Sequence, residues 1–299
     1  MADVTDRLGC DKRGQLLLIT ALALAVILLT VALLLNAAVY TENVATRETA
    51  ADSRDAIAFR GEAVDGVADL IRTENRGGGD SVAVAAGINA TGPLVDRQQA
   101  RSGVVATVSF NGTTDGRRLA ADSLDTSDDW AVVEGVDGAR NVTLSVDPTS
   151  LADSPADVEA EALGVRFVTP AGNETRYVYR EGGEVAIDAA NETHSPSRQC
   201  SIPTADPTTV DFTGDQLSAG SATTDCFRGL WPEPAVEDIR IVNGGAGDGA
   251  FAATVRGYDT VNTNVDTEGV VYAATVDLTY RTPEVDFETT VRVAPGEPR

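Results

Sequence analysis

Residues 16–39 run for 24 positions without a charge and follow directly on Lys12-Arg13-Gly14-Gln15. Ten leucines, two isoleucines and two valines lie between Leu16 and Leu35. At about −0.3 to −0.6 kcal/mol each, these side chains favour insertion into a bilayer by roughly 6 kcal/mol. At 1.5 Å per residue a helix over the run is about 36 Å long, enough to cross a hydrocarbon core of about 30 Å. Thr20, Thr30 and Asn36 are the polar interruptions, and threonine hydroxyls can bond back to their own helix carbonyls at little cost. The run is too long for an ordinary buried helix of a soluble core, where about 14 apolar residues is already a long stretch. Residues 15–39 are therefore expected to span a lipid bilayer. Arg7, Lys12 and Arg13 precede the span, whereas Glu42, Glu48 and Asp52 mix with Arg47 and Arg54 beyond it. The bias places the N-terminus in the cytoplasm and the long C-terminal part outside.

On this reading residues 1–14 are a cytoplasmic leader and residues 40–76 a stalk helix. The stalk has an apolar stripe at Val44, Ala51, Ile57, Ala58, Val64, Val67, Leu70 and Ile71, roughly every three to four residues. Asn75-Arg76-Gly77-Gly78-Gly79 supplies its stop. From residue 80 the pattern switches to strands, expected at 81–86, 103–110, 130–134, 140–146, 163–169, 174–180 and 184–188, then 237–242, 250–257, 269–280 and 285–293. Asn111-Gly112 and Gly182-Gly183 read as turns, and Asn243 to Gly249 as a hairpin turn between two strands. The expected class is α+β: a long N-terminal helix, part membrane and part stalk, before a mainly antiparallel β-rich head at 80–299. Residues 190–235 have no clear periodicity, which leaves room for two subdomains, 80–190 and 235–299.

Five Asn-x-Thr acceptor patterns, at Asn89, Asn111, Asn141, Asn173 and Asn191, all lie C-terminal to the span. Their side agrees with the charge bias, because N-glycans are added on the exported face. Cys10 precedes the span, while Cys200 and Cys226 follow it. The latter two are expected to pair in an oxidising exterior, with free buried thiols or a metal site as the alternatives.

The 46 Asp and Glu against 23 Lys and Arg give a net charge of −23. Residues 1–41 balance, so the acidic excess belongs to the exported part. Such a chain lacks the basic footprint of a nucleic-acid binder. One Lys against 22 Arg, with abundant Asp, Thr, Ala, Val and Gly, resembles proteins of salt-loving archaea, whose solvent screens charge over about 3 Å at molar salt. Against that background paired carboxylates say little about catalysis. His194, the single histidine, sits in a polar loop beside Asn191 and makes a poor catalytic base. Asn262, Asn264, Asp266 and Glu268 have alternating oxygens suited to Ca²⁺, but lack the glycine of an EF-hand loop. Trp130, Trp231, Tyr177, Tyr179, Tyr258, Tyr272 and Tyr280 are scattered and read as packing rather than as a sugar platform. No catalytic residue, cofactor or metal is expected.

The leader Lys12-Arg13-Gly14-Gln15 and its apolar helix resemble the class III leader of archaeal type IV pilin-like proteins. The block from Arg13 through Asn36 to Tyr40-Thr41-Glu42-Asn43 is similar, more specifically, to haloarchaeal membrane proteins with pilin-like N-termini. The resemblance implies cleavage by a prepilin peptidase after Gly14, leaving Gln15 first, and other pilin-like subunits as partners. It covers about 35 residues and does not reach the head. It departs at Ile19, where pilins often carry an acid. The expected function is a membrane-anchored, glycosylated, structural or adhesive surface component of minor-pilin type. The alternative is an exported module that binds a solute, a glycan or an envelope partner.

Overall fold

The computed structural model describes residue 31, residues 53–101, 103–124, 129–227, 229–233 and 235–298. Gly14, Gln15 and nearly all of the apolar run lie outside the described residues; Val31 is helical. Among the described residues no helix is long and apolar enough to cross a membrane.

Helix α1 covers residues 53–77. Ala56, Phe59, Val67, Ala68 and Ile71 are buried at the three-to-four spacing of one helical face. Gly78 ends α1 with φ +73°, a left-handed position that glycine takes without steric penalty. Helix α2, Ser81–Ala100, starts at once. The Asp80 carboxylate caps it by accepting from Val82 N and Ala83 N, both at 3.0 Å. This corrects the expected strand at 81–86. Val82 and Val84 alternate with alanines there, but the alanines and the capping aspartate both favour helix. The turn brings Leu70 of α1 so close to Gly87 of α2 that a Cβ there would lie 2.7 Å from a leucine methyl.

The chain divides into two compact units, residues 1–59 with 280–287 and residues 60–279 with 288–299. In the first, the Phe59 ring lies 5.7 Å from that of Tyr280. Its hairpin tip is held by Thr282 N donating to Val285 O at 2.8 Å and by Arg281 paired with Asp286 at 2.9 Å.

The larger unit is a β-sandwich. Its strands are β1 Val105–Ala121, β2 Asp129–Glu134, β3 Gly138–Val146, β4 Leu163–Thr169, β5 Gly172–Glu181, β6 Glu184–Asn191, β7 His194–Pro203, β8 Thr208–Asp211, β9 Gln216–Ala219, β10 Ala222–Asp225, β11 Asp238–Val242, β12 Gly249–Arg256, β13 Thr260–Val261, β14 Asp266–Arg281 and β15 Asp286–Val293; a short helix α3, Val158–Glu161, precedes β4. One sheet runs β10-β9-β8-β3-β12-β1-β14-β15 and the other β13-β2-β11-β4-β5-β6-β7. The paired strands β1 and β12, β3 and β8, and β4 through β7 are antiparallel. The class is therefore mainly antiparallel β rather than α+β, and among the described residues the N-terminal helix is α1, 53–77, with no long helix. Strands from 80–190 and 235–299 interleave in both sheets, so these segments share one core rather than forming two subdomains.

That core holds Leu144, Val210, Phe251 and Val255 from the first sheet and Val165, Phe167, Ile187 and Ile241 from the second, each at most 1% exposed. Phe167 meets Phe212 edge to face at 5.4 Å, the favoured geometry for two ring quadrupoles. Two expected turns differ. β1 passes straight through Asn111-Gly112, where Asn111 donates its amide to Asp277 of the neighbouring β14. The segment from Asn243 to Gly249 links β11 to β12 in different sheets, so it is a crossover rather than a hairpin. β1 is buried at Ala106 and Val108 near its start and at Leu119 and Ala121 near its end. Between them it changes parity and faces solvent.

Gly92 of α2 packs directly on β1: a Cβ there would meet Val108 O at 2.6 Å. We expect Gly92→Ala to destabilise by about 1–3 kcal/mol through this backbone clash. Gly61→Ala, in an exposed stretch of α1 with nothing within 4 Å, should stabilise by roughly 0.5–1 kcal/mol. Urea unfolding of the two variants checks both signs.

Candidate functional site

The Cys200–Cys226 disulfide joins β7 to the chain leaving β10, with 5.0 Å between the Cα atoms. Residues 229–233 then cross the sandwich as a strap. Leu230, fully buried, fixes it: Leu230 N donates to Asp215 Oδ1 at 2.5 Å, and Leu230 O accepts from Arg176 Nε at 2.9 Å. Trp231 follows, half-buried, its ring 5.2 Å from that of Phe167.

Three hollows adjoin the strap. One of about 290 Å³ lies between β6–β7 and Gly229, lined by Glu174, Arg176, His194 and Gln199. The largest, about 590 Å³, shares Glu174, Arg176 and Gly229 with it and continues along Asp215 and Trp231. The third, about 330 Å³, lies beyond Trp231 and Pro232, where Asp137, Gly138, Arg256 and Glu297 line it. Shared lining residues join the three into a single open cleft.

At the wall of the third hollow three guanidinium groups meet on one ring. Arg140, Arg256 and Arg292 place their guanidinium carbons 5.2, 5.8 and 5.7 Å from the centre of the Tyr272 ring. They come from β3, β12 and β15 and converge on β14. Glu297 accepts from Tyr272 Oη at 3.0 Å and from both terminal nitrogens of Arg292, at 2.5 and 3.0 Å. Arg140, 2% exposed, gives its terminal nitrogens to Pro295 O and Val271 O at 2.5 and 3.0 Å. Nε of Arg140 and Nε of Arg256 are both buried without a hydrogen-bond partner, and the Arg256 charge acts on Glu297 through space. Burial pulls the Arg140 guanidinium down to about 10. Burial, then Glu297, push the Tyr272 phenol up. Burial alone would raise the Glu297 carboxyl, but the hydrogen bonds from Arg292 and Tyr272 outweigh it and leave Glu297 below the usual carboxylate range.

The residues singled out from sequence are dispersed. Asn89 is exposed on α2 and Asn191 is exposed at the β6–β7 turn. The Asn191 Oδ1 accepts from Thr193 N and His194 N at 3.0 and 2.9 Å. The other three commit their Nδ2: Asn111 to Asp277 at 2.9 and 3.0 Å, Asn141 to Pro295 O at 3.4 Å, and Asn173 to Glu192 at 3.2 Å. His194 is exposed, and its Nδ1 lies 2.8 Å from Thr193 Oγ1. In the loop before β14, Asn262 Oδ1 accepts from Asn264 N at 2.9 Å, and Glu268 pairs with Arg118. No group of three or more His, Cys, Asp or Glu among the described residues could hold a metal. Trp231, expected as packing alone, also lines the cleft. The arginine grouping on Tyr272 was missed, and no local motif announces it, since four separate strands supply its members.

A family described as "Family of unknown function (DUF7261)" matches residues 10–138, from the leader to the start of β3. No curated protein matches. Solved structures with some similarity include a mutant of the GH43 protein BlXynB from Bacillus licheniformis, 10% identical, covering 56% of this chain and 29% of that one at a TM-score of 0.22. The chain thus spans under a third of that protein's length, and a likeness this slight carries no argument about fold or activity.

Two outcomes follow from the site. Closing 26 residues by the disulfide stabilises by about 3.5 kcal/mol in the chain-entropy account. Cys226→Ser should lower stability by about that amount and expose a single thiol at Cys200 to labelling. Second, the depressed Glu297 pKa makes a contribution to stability that is present above its unfolded value of 4.5 and lost as pH falls through its folded value. The stability of Glu297→Gln should therefore fall less steeply than the parent's below pH 4.5, as read from urea midpoints across that range.

Proposed function

We propose that the protein is a membrane-anchored, N-glycosylated surface component whose β-sandwich is displayed outside the cell, in the manner of a minor pilin-like subunit. The observation that carries this reading is the uncharged run at 16–39 behind Lys12-Arg13-Gly14, which has the length and hydropathy of a bilayer span. Two further features support it. The disulfide between Cys200 and Cys226 is the kind of bond an oxidising exterior sustains. Asn191 is exposed on the β6–β7 hairpin turn, the kind of position at which a glycan can be accommodated. Prepilin peptidase and other pilin-like chains are the partners this reading assigns to the leader and span.

Protease added to intact cells should release the sandwich, while cells lysed first lose the leader epitope as well. Mass spectrometry of the released fragment should find glycan at Asn89 and Asn191 before the three asparagines whose amides are committed within the fold. A sandwich fully protected in intact cells would defeat the topology, and bare asparagines at all five positions would defeat the glycoprotein reading. A mature chain that begins at Gln15 supports the pilin-like form, and one that retains residues 1–14 argues for a permanent anchor.

A further inference from the structure

Residues 81–95 of α2 carry no charge, in a chain where 23% of residues are charged. One side of this stretch is spent on packing, where Val84, Ile88 and Gly92 are buried. The other side stands in solvent. Val82, Ala86, Ala90, Pro93 and Leu94 are exposed there, Val82 at 71% and Leu94 at 61%. Asn89 and Thr91, the acceptor and the hydroxyl of one Asn-x-Thr site, are the other exposed residues of the stretch. At about 100° per residue, Val82, Ala86, Asn89 and Pro93 fall within roughly 60° of one another, and Ala90 and Leu94 continue the face round the helix. A surface helix ordinarily turns charged side chains to this side. A contiguous apolar face in water marks a place that something covers.

Charge narrows the choice of cover. The face offers nothing for an ionic partner to read. The net charge of −23 keeps copies of the chain apart only while it is unscreened, and at molar salt the Debye length is about 3 Å. The cover that fits is neutral, bulky and polar on its outer side, which is what a glycan supplies. Its attachment point lies within the face. One turn from Asn89 on either side are Ala86 and Pro93. Side chains on a helix lean toward its N-terminus, so the first sugar on Asn89 would begin over Ala86 and extend toward Val82. Ala86 and Ala90 keep the surface low enough for a ring to lie flat on it. Asn191, the other exposed acceptor without its amide tied into the sheet, has Glu192, Thr193 and His194 as its neighbours on a polar turn. Asn89 alone of the two stands on apolar ground.

We propose that a glycan on Asn89 lies over the exposed apolar face of α2 and keeps that face from pairing with a second copy of the chain. The proposal rests on the glycoprotein reading above and gives one of its five sites a definite task.

The test uses the full-length chain from its native membrane, placed one to a lipid nanodisc and followed by sedimentation velocity in molar salt, with mass spectrometry of each acceptor site. Asn89→Gln and Thr91→Ala each remove the acceptor pattern, the second with Asn89 still in place. Thr91 Oγ1 donates only to Gly87 O of its own helix, at 2.9 Å, so either change should leave the fold intact, as urea midpoints check. The parent is expected to carry glycan at Asn89 and to sediment as single discs. Both variants should self-associate at least about tenfold more tightly, and Asn191→Gln should not. Adding Val82→Ser and Leu94→Ser to Asn89→Gln should return it to single discs. A bare Asn89 beside a glycosylated Asn191 would overturn this proposal and leave the glycoprotein reading standing, whereas bare asparagines at all five positions would overturn both. Single discs for Asn89→Gln and Thr91→Ala, equal association of Asn191→Gln, or association that Val82→Ser and Leu94→Ser leave unchanged would each overturn the proposal alone. Association of the glycosylated parent that those two serines abolish would do so as well, by making a second copy the occupant.

Discussion

The Cys200–Cys226 bond closes the sandwich where it is most exposed. β7 is the last strand of one sheet and β10 the last of the other, and the disulfide ties the first to the residue just after the second. Unpaired sheet edges are where strands recruit other strands. Here one edge of each sheet is held against the other, and the chain that leaves the clasp is drawn across the sandwich. Its register is then set by buried Leu230, between the Asp215 carboxylate and the Arg176 guanidinium. The cleft exists because that strap is fixed at both its covalent and its hydrogen-bonded points. Without them Trp231 would have no reason to stand beside Phe167.

At the other end the fold solves a different problem. β1 is 17 residues long, too long for the sandwich alone. Its first part is buried at Ala106 and Val108, where α2 lies close enough for Gly92 to be needed. Its last part is buried at Leu119 and Ala121 inside the sandwich core. A strand that serves two cores must change which side it buries, and the solvent-facing stretch in the middle is where the parity changes. β14 meets a similar demand by burying five consecutive residues, Val270 to Ala274, rather than alternating.

The sequence was most legible where short apolar or β-branched runs end at clear turn signals. β4 coincides with its expected range of 163–169, and β5, β6, β11 and β12 lie within a few residues of theirs, because each concentrates Val, Ile, Phe, Tyr or Ala between polar or glycine-containing ends. The stop of α1 was legible too, since three consecutive glycines leave a helix nowhere to go. β7 to β10 were not legible. They form the outer part of each sheet, with β7 and β10 as the edges, they are rich in Ser, Thr and Asp, and what holds them is the clasp and their neighbours, not their own pattern. α2 was misread because alanine and valine at alternate positions look the same to either period. The arginines on Tyr272 lay beyond any local reading, for their meeting is a property of strand order. The acidic background worked against the reader as well, since it made Glu297 look like one more solvent-facing acid.

Asn75 sits one turn before α1 ends, and its amide treats β14 as a neighbouring strand would. Nδ2 donates to Val271 O and Oδ1 accepts from Val271 N, both at 2.9 Å. A single side chain thus imitates a rung of the ladder and couples a helix to a sheet by the geometry usually reserved for strand pairing. Val271 O also receives Arg140, so the rung continues into the arginine grouping behind the cleft. One residue therefore fixes the register between the end of α1 and β14, and Asn75 could be exchanged only for a side chain that both donates and accepts.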